Sequence, residues 1–361
     1  MRVRPVLLAV VATLFALGAS PVARATYDPL GSGTTVFRLD RGFLRVLHEH
    51  GVQLATREGA AFKAGILRFP VSGGKFDPRT REGTVEHGGV VLFQRGKRSI
   101  SMKRLQLKTT RRSSPFVAKL AGGQLKVGAV NRLTVGRSGF ANEVTVSSLR
   151  LSAKFAARLS KRLRLRDVFQ EGMPVGSAVT KANPATVAIL PKGGVQLGLD
   201  AGIAAKLNEL HVAVNPIFPA ERPNLFTLPT FSGKLALDFS SGFLQLQGGI
   251  EFIELGSGQV IWREPRVDLG EASFGPEVDV EPSPPFAGKA GLLTVAALDL
   301  AGGTTATNPA QRTLTVSGAP LILPESTAAL FNEVFAKPQK KENVFSAGEI
   351  LGRLSFVAEA Q

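Results

Sequence analysis

Apolar and polar residues alternate along much of the chain. The segment 99–109 has a period of two, as do the segments 83–87, 242–247 and 312–317. Such runs, when they end at Gly, Pro, Asn or Ser, are typical of half-buried strands. The 39 glycines and 22 prolines punctuate them at short spacing, as in sandwiches and barrels. The pattern therefore predicts a mostly β protein of antiparallel strands.

Two short helices are predicted in each half of the chain. One begins at Asp40 and its counterpart begins at Asp200, because an aspartate carboxylate can accept hydrogen bonds from the first free amides of a helix. The other covers 152–160, with a counterpart at 325–333; Phe155 and Leu159 lie four apart and so share one face. We expect two tandem copies of an antiparallel β-sandwich-like module, each with one or two short helices.

Five blocks of sequence recur in the same order in the two halves. Residues 36–49 align with 196–209, 72–76 with 231–235, 85–90 with 245–250, 143–147 with 313–317, and 169–176 with 345–352. In this alignment Gln247 stands opposite His87. Collinear weak matches indicate an internal duplication, the alternative being two unrelated β domains of similar composition. We predict modules at 34–182 and 186–359, joined by the polar segment 181–184.

The first 25 residues have the pattern of a secretory signal peptide. Arg2 and Arg4 precede the apolar stretch 6–18, and Ala23-Arg24-Ala25 is a small-x-small cleavage site, so cleavage is expected after Ala25. An uncleaved anchor is the alternative, but a spanning helix needs roughly 20 apolar residues. The chain has no cysteine, so its stability cannot come from disulfides. We expect a secreted, extracellular or cell-envelope protein.

Charge divides the two modules. Residues 26–183 hold 29 lysines and arginines against 10 aspartates and glutamates, a net charge of +19, whereas residues 184–361 hold 12 against 18, a net charge of −6. The basic residues concentrate at 95–112 and 154–166. Such a module can contact an anionic wall polymer or a lipid surface, or its charges are simply solvated strand faces. A third possibility is that the acidic module docks on the basic one, within the chain or between chains.

Motifs for catalysis and for nucleic-acid binding are missing from the sequence. There is no Gly-x-Ser-x-Gly elbow and no His-Glu-x-x-His pair, and the four histidines are His48, His50, His87 and His211. We expect no enzyme; a hydrolase would have to rely on paired carboxylates. We expect no nucleic-acid partner, because the phenylalanines occupy core-like positions and leave no stacking platform. No metal site is expected, since His48 and His50 point in different directions on their helix.

The block 83–92, Gly-Thr-Val-Glu-His-Gly-Gly-Val-Val-Leu, resembles the HtaA-type (haem-transport-associated) domains of actinobacterial exported proteins. The Phe69-Pro70 segment and the second-copy segments 239–250 and 261–269 look similar, so the chain resembles two degenerate copies. The resemblance implies an envelope context and haem or porphyrin binding as an alternative function. Haem-binding members use a Tyr ligand supported by the turn His. Here His87 matches that His, while the one Tyr, Tyr27, and the one Trp, Trp262, lie elsewhere than the family pattern places them.

The expectation for function is an exported, non-enzymatic binding protein without a cofactor, whose first module contacts an anionic envelope polymer or lipid; haem binding is the alternative. The candidate ligand-binding residues are His87, Gly88 and Gly89. The candidate anionic-surface contacts are Arg95, Lys97, Arg98, Lys103, Arg104, Arg111, Arg112, Lys161, Arg162, Arg164 and Arg166.

Overall fold

A computed structural model describes residues 28–110, 113–121, 123–222, 225–256, 258–281 and 290–361. The predicted signal peptide, Tyr27, Arg111 and Arg112 lie outside the described residues. The prediction of a mostly β protein with two tandem antiparallel modules is confirmed.

The described residues of the first module form eleven strands. They are β1 (Asp28–Leu39), β2 (Gln53–Arg57), β3 (Ala61–Lys63), β4 (Ile66–Asp77), β5 (Glu82–His87), β6 (Val90–Arg95), β7 (Arg98–Thr109), β8 (Pro115–Leu120), β9 (Gly123–Ser138), β10 (Ala141–Leu151) and β11 (Pro174–Pro184). Eight of them form a closed ring in the order β7-β5-β4-β1-β11-β10-β9-β8, and pairing of β8 with β7 closes it. β6 extends outward from β7, β2 pairs with β6, and β3 pairs with β4.

In the second module, the part of the chain that the structure describes forms thirteen strands. They are β12 (Thr186–Ile189), β13 (Gly194–Leu199), β14 (Ala213–Ile217), β15 (Phe226–Ala236), β16 (Gly242–Leu246), β17 (Gly249–Glu254), β18 (Gly258–Asp268), β19 (Ser273–Glu281), β20 (Ala290–Leu292), β21 (Ala296–Leu298), β22 (Thr304–Asn308), β23 (Thr313–Ile322) and β24 (Ile350–Glu359). The ring recurs in the order β18-β16-β15-β13-β24-β23-β21-β19, closed by the pairing of β19 with β18. β17 and β14 repeat the outward extension made by β6 and β2. Alternation of side chains predicted the strands, but it does not say whether a sheet closes.

The helices lie where the sequence predicted them. α1 (Arg41–Glu49) begins after Asp40, whose Oδ1 accepts hydrogen bonds from the amides of Gly42 (2.8 Å) and Phe43 (3.1 Å). α3 (Ala201–Glu209) begins after Asp200 in the same way. α2 (Ala153–Leu163) is capped by the Ser152 hydroxyl. α4 (Glu325–Phe331) continues into a π-helical turn, Asn332–Ala336, and a 3₁₀ turn, Lys337–Gln339.

Each module has its own hydrophobic core inside its closed sheet and under its helices. A residue of the first module packs in the core of the second. Phe140, at the tip of the β9–β10 hairpin of the first module, is buried within the core of the second. Arg137 on the same hairpin donates to the carbonyl of Gln361 in the second module (2.8 Å) and to Asp28 of its own module (3.1 Å), so one polar contact between the modules accompanies the apolar one. Among the described residues, no helix combines the length and the apolar character that a membrane span requires.

Candidate functional site

His87, at the end of β5, is buried in the first module, with 2% of its surface exposed. Its Nδ1 lies 2.9 Å from the carbonyl oxygen of Leu105, and its Nε2 lies 2.7 Å from the hydroxyl of Thr35. Because a carbonyl only accepts, Nδ1 carries the proton and Nε2 accepts from Thr35. The Thr35 hydroxyl in turn lies 2.7 Å from that of Thr180, which donates to it. The side chains of His87, Thr35 and Thr180 thus form one continuous series of hydrogen bonds, which we name the polar chain.

Burial lowers the pKa of His87 to about 4, although the hydrogen bond to the Leu105 carbonyl acts in the opposite direction. The imidazole is therefore neutral at physiological pH, in agreement with the tautomer that its partners require. Both ring nitrogens are engaged within the protein. An external ligand would have to displace Thr35 to reach Nε2, and a ligand-binding role for His87 stays a prediction.

Gly88 and Gly89 form the turn that follows His87. The amide of Gly88 donates to the carbonyl of Pro70 (2.9 Å), which ties the turn to β4. Gly89 has φ 95°, and a Cβ there would lie 2.6 Å from the Cβ of Ala60. Only glycine permits this approach, so Gly89 is accounted for by backbone packing alone.

Strand register corrects the alignment of His87 with Gln247. Val71 pairs with His87 on β4 and β5, and Thr230 pairs with Leu246 on β15 and β16. The amide of Gln247 donates to Pro229 as the amide of Gly88 donates to Pro70. Leu246 is therefore the counterpart of His87, and the alignment was wrong by one residue. The loop between 76 and 83 has the same length in both copies, because Phe76 pairs with Gly83 as Leu235 pairs with Gly242; matching the two Gly-Gly pairs introduced the one-residue shift.

The second module replaces the whole polar chain by apolar residues. Thr35 pairs with Thr180 on β1 and β11, and at the same register Val195 pairs with Phe356 on β13 and β24. Leu246, Val195 and Phe356 are all buried. The fold is therefore compatible with an apolar core at these positions, and the polar chain is a property of the first module.

An apolar cavity of ≈ 60 Å³ lies in the first module beneath α1 and α2, separated from His87 by two phenylalanines. Its walls include Phe69 and Phe116, whose ring centroids lie 6.2 and 6.4 Å from that of His87. Phe93 of β6, Met102 of β7 and Phe155 of α2 also line it. The cavity is apolar throughout, so its contents must be apolar too.

The two basic segments of the sequence meet at the end of α2. Arg95 donates through Nε to the carbonyl of His50 (3.0 Å), which caps α1, and through a terminal nitrogen to the carbonyl of Leu163 (3.1 Å) at the end of α2. Arg162 donates from α2 to the carbonyl of Ser99 on β7 (3.2 Å). Free carbonyls at helix ends favour such cationic donors. Arg95, half-buried, thus has a structural role at the junction.

The remaining candidate contacts are exposed side chains around this junction and on its strand. Lys103 forms a 3.8 Å ion pair with Glu58, and Arg104 follows it at φ 47°. The exposed members of the set are Lys97, Arg98, Lys103, Arg104, Lys161, Arg162, Arg164 and Arg166. A shallow groove of ≈ 700 Å³ runs beside α2 and includes Lys161, Arg164 and Arg166 in its walls. We name the exposed set around the end of α2, Lys97, Arg98, Lys161, Arg164 and Arg166, the basic rim.

Two parts of this arrangement were missed by sequence reasoning. Thr35 and Thr180 are ordinary strand residues in the sequence, and only strand pairing brings them to His87. The cavity has no sequence signature except that Met102 occurs where the second module has Trp262. Within the described ranges, no group of three or more His, Cys, Asp or Glu side chains is arranged to hold a metal.

No protein-family profile matches the chain, and no curated protein matches it significantly. Among solved structures, it is similar to the C-terminal domain of HtaA from Corynebacterium glutamicum, with 14% identity over 43% of this chain and 98% of that one and a TM-score of 0.37. The N-terminal domain of HtaA is 14% identical over 43% of this chain and 98% of that one, with a TM-score of 0.29. The heme binding protein HtaB of the same organism is 10% identical over 44% of this chain and 95% of that one, with a TM-score of 0.30. Each comparison covers about two fifths of this chain. At such identities the likeness concerns the fold alone.

Proposed function

We propose that this chain is an exported, non-enzymatic binding protein of the cell envelope or the extracellular space, and that its basic first module contacts an anionic surface. The observation that carries the proposal is the meeting of the segments 95–98 and 161–166 at the end of α2, held by Arg95 and Arg162. Two basic segments separated by some 60 residues in sequence thereby share one exposed surface.

The net charges of the two modules determine which side of the protein faces an anionic surface. The first module carries a net charge of +19 and the second carries −6, so an anionic surface attracts the first module and repels the second. Each Lys or Arg close to an anionic membrane contributes about 1 kcal/mol. The basic rim has five such side chains, which are enough for retention on an anionic surface. Retention should fall as salt rises, because exposed charges are screened beyond a Debye length of about 8 Å at physiological ionic strength.

Vesicle binding tests the proposal. The full chain is expected to sediment with phosphatidylglycerol-containing vesicles and not with phosphatidylcholine vesicles, and rising salt should release it. Replacing Lys97, Arg98 and Lys161 by Gln should weaken binding by tenfold or more. The matched control replaces three exposed lysines of the second module, Lys192, Lys234 and Lys340, by Gln and should not weaken it. Equal loss in both triple variants, or retention that ignores salt, would overturn the proposal.

Haem or another porphyrin is the second candidate ligand. The observation in its favour is the phenylalanine-lined cavity near His87. A volume of ≈ 60 Å³ is too small for a macrocycle, since it is less than half of the about 150 Å³ of a cavity that binds a single benzene ring. Haem binding therefore requires the helices to move away from the sheet and Thr35 to release His87.

Absorption spectroscopy decides between the two. Haem that enters the first module and reaches His87 should give a saturable Soret shift that is lost in His87→Ala and kept in a variant of the equivalent second-module position, Leu246→Ala. An unchanged haem spectrum on adding wild-type protein removes this candidate.

A further inference from the structure

Met102 and Trp262 occupy the same place in the two modules. Val91 pairs with Met102 on β6 and β7, and its counterpart Ile250 pairs with Trp262 on β17 and β18. The aromatic neighbours also correspond, because Leu107 pairs with Phe116 and Val267 pairs with Phe274.

In the second module the indole fills the space under the helix. Trp262 is fully buried, and its ring centroid lies 4.7 Å from that of Phe252 and 6.0 Å from that of Phe331 on α4, on which it stacks. In the first module, Phe93 is the counterpart of Phe252. Phe155 of α2 contacts Phe93, with ring centroids 6.1 Å apart, as Phe331 of α4 contacts Phe252 at 5.1 Å, although the helix register places Leu159 opposite Phe331. Phe93 and Phe155 line the cavity of ≈ 60 Å³ together with Met102. The smaller thioether leaves open the space that the indole fills.

The cavity reaches toward the surface. Four of its wall residues, Leu39, Leu54, Met102 and Val175, are only partly buried. Methionine is flexible and adapts to neighbouring shapes, so Met102 can move aside to widen the opening. Exposed cations lie on the same strand and helix: Lys103 and Arg104 directly follow Met102 on β7, and Arg162 of α2 donates to the carbonyl of Ser99 on β7.

We propose that the first module binds the end of a hydrocarbon chain in this cavity, from a single-chain amphiphile whose anionic head group lies among the exposed cations at the opening. The inference rests on the proposed function, since the same charges attract the anionic surface. It identifies that surface as lipid and not as a wall polymer. The cavity is larger than the roughly 10–15 Å³ that holds one water molecule and smaller than the about 150 Å³ of a cavity that binds benzene. The terminal carbons of one chain, and no ring system, fit it as it stands.

Methionine methyl NMR gives a direct test with decanoate as the probe. The full chain contains three methionines, of which Met102 lines the cavity and Met173 packs elsewhere against the same core. Titration of ¹³C-methyl-labelled protein with decanoate should shift the Met102 signal saturably and leave the Met173 signal in place. Decanol, which lacks the charge, should bind at least threefold more weakly at low salt, and the difference should vanish at high salt.

Two variants distinguish decanoate binding in the cavity from binding at the protein surface. Met102→Trp should weaken decanoate binding at least tenfold in calorimetry, whereas Leu255→Trp, at a residue with 93% of its surface exposed, should leave it unchanged. Met102→Phe serves if the tryptophan variant does not fold. The inference is overturned if Met102→Trp binds decanoate as well as wild type, or if both methionine signals move together without saturation. Salt-sensitive vesicle binding by the Met102→Trp protein would show that the proposed function survives such a failure.

Discussion

The hydroxyl of Thr35 lies 2.7 Å from Nε2 of His87, and the two residues are 52 positions apart in the chain. The second module has Val195 and Leu246 at the same register. A buried polar pair is thus specific to the module that also carries the excess positive charge. A histidine whose two nitrogens are satisfied contributes to stability only as long as both partners remain.

Replacing His87 by Leu, the residue of the second module, should lower the stability of the first module. The change leaves the Thr35 hydroxyl and the Leu105 carbonyl without the imidazole, and an unsatisfied buried group costs about 1–3 kcal/mol. The double variant His87→Leu/Thr35→Val removes one of the orphaned groups, so urea unfolding should show it to be less destabilised than the sum of the single variants, with a coupling of about 1 kcal/mol. Simple additivity would contradict the hydrogen-bonded pair.

Acid should destabilise the first module through His87. Burial holds its folded pKa at about 4, below the ordinary value of 6.5, so between these two pH values the unfolded chain binds a proton that the folded chain does not. Stability is therefore full above about pH 6.5 and falls as the pH is lowered toward 4, by about 3 kcal/mol in total. Urea unfolding followed by far-UV circular dichroism at pH 7, 5.5 and 4.5 measures this loss. In His87→Leu this part of the pH dependence should disappear, and an unchanged pH profile would refute the assignment.

The sequence predicted the strands, the helix starts and the duplication because these depend on local patterns. Asp40 and Asp200 cap their helices through atoms two or three residues away, which a sequence displays directly. The closed sheet and the polar chain depend on pairing between distant strands, such as Thr35 with Thr180, and no local pattern reports that. The same limit explains the misplaced Gln247: the Gly-Gly pairs of the two copies match locally at one offset, whereas strand pairing places Gln247 opposite Gly88.

Arg95 shows the same limit for charge. Its place in a basic segment predicted a surface contact, whereas the structure has it donating to the carbonyls of His50 and Leu163. The second module makes the equivalent contact with other residues: Gln339 donates to the carbonyl of Leu210 (2.7 Å) and to Glu254 (2.6 Å), and Glu254 is the counterpart of Arg95. One helix end is thus tied to its neighbour by a cation in one copy and by an amide in the other.

Arg95→Gln is therefore expected to lower the stability of the first module, by about 1–2 kcal/mol, because hydrogen bonds from a charged donor are worth more than neutral ones. Lys97→Gln removes the same charge from an exposed turn and should change the unfolding free energy by less than about 0.5 kcal/mol. Thermal or urea unfolding of the two variants separates these roles. Equal stability of both proteins would mean that the contacts of Arg95 are of no consequence.

Phe140 gives the sharpest test of how the modules depend on each other. It belongs to the first module by sequence, yet 6% of its surface is exposed and it packs in the core of the second module. Phe140→Ala should cost about 3 kcal/mol, as large-to-small changes of buried phenylalanines do. The chain has one tryptophan, Trp262, buried in the second module, so its fluorescence reports the unfolding of that module alone. The urea midpoint of the Trp262 signal should fall in Phe140→Ala, although the altered residue lies in the first module. Phe231→Ala, at an exposed phenylalanine of the second module itself, should shift this midpoint much less. If the Trp262 transition did not move in Phe140→Ala, the two modules would unfold as independent units.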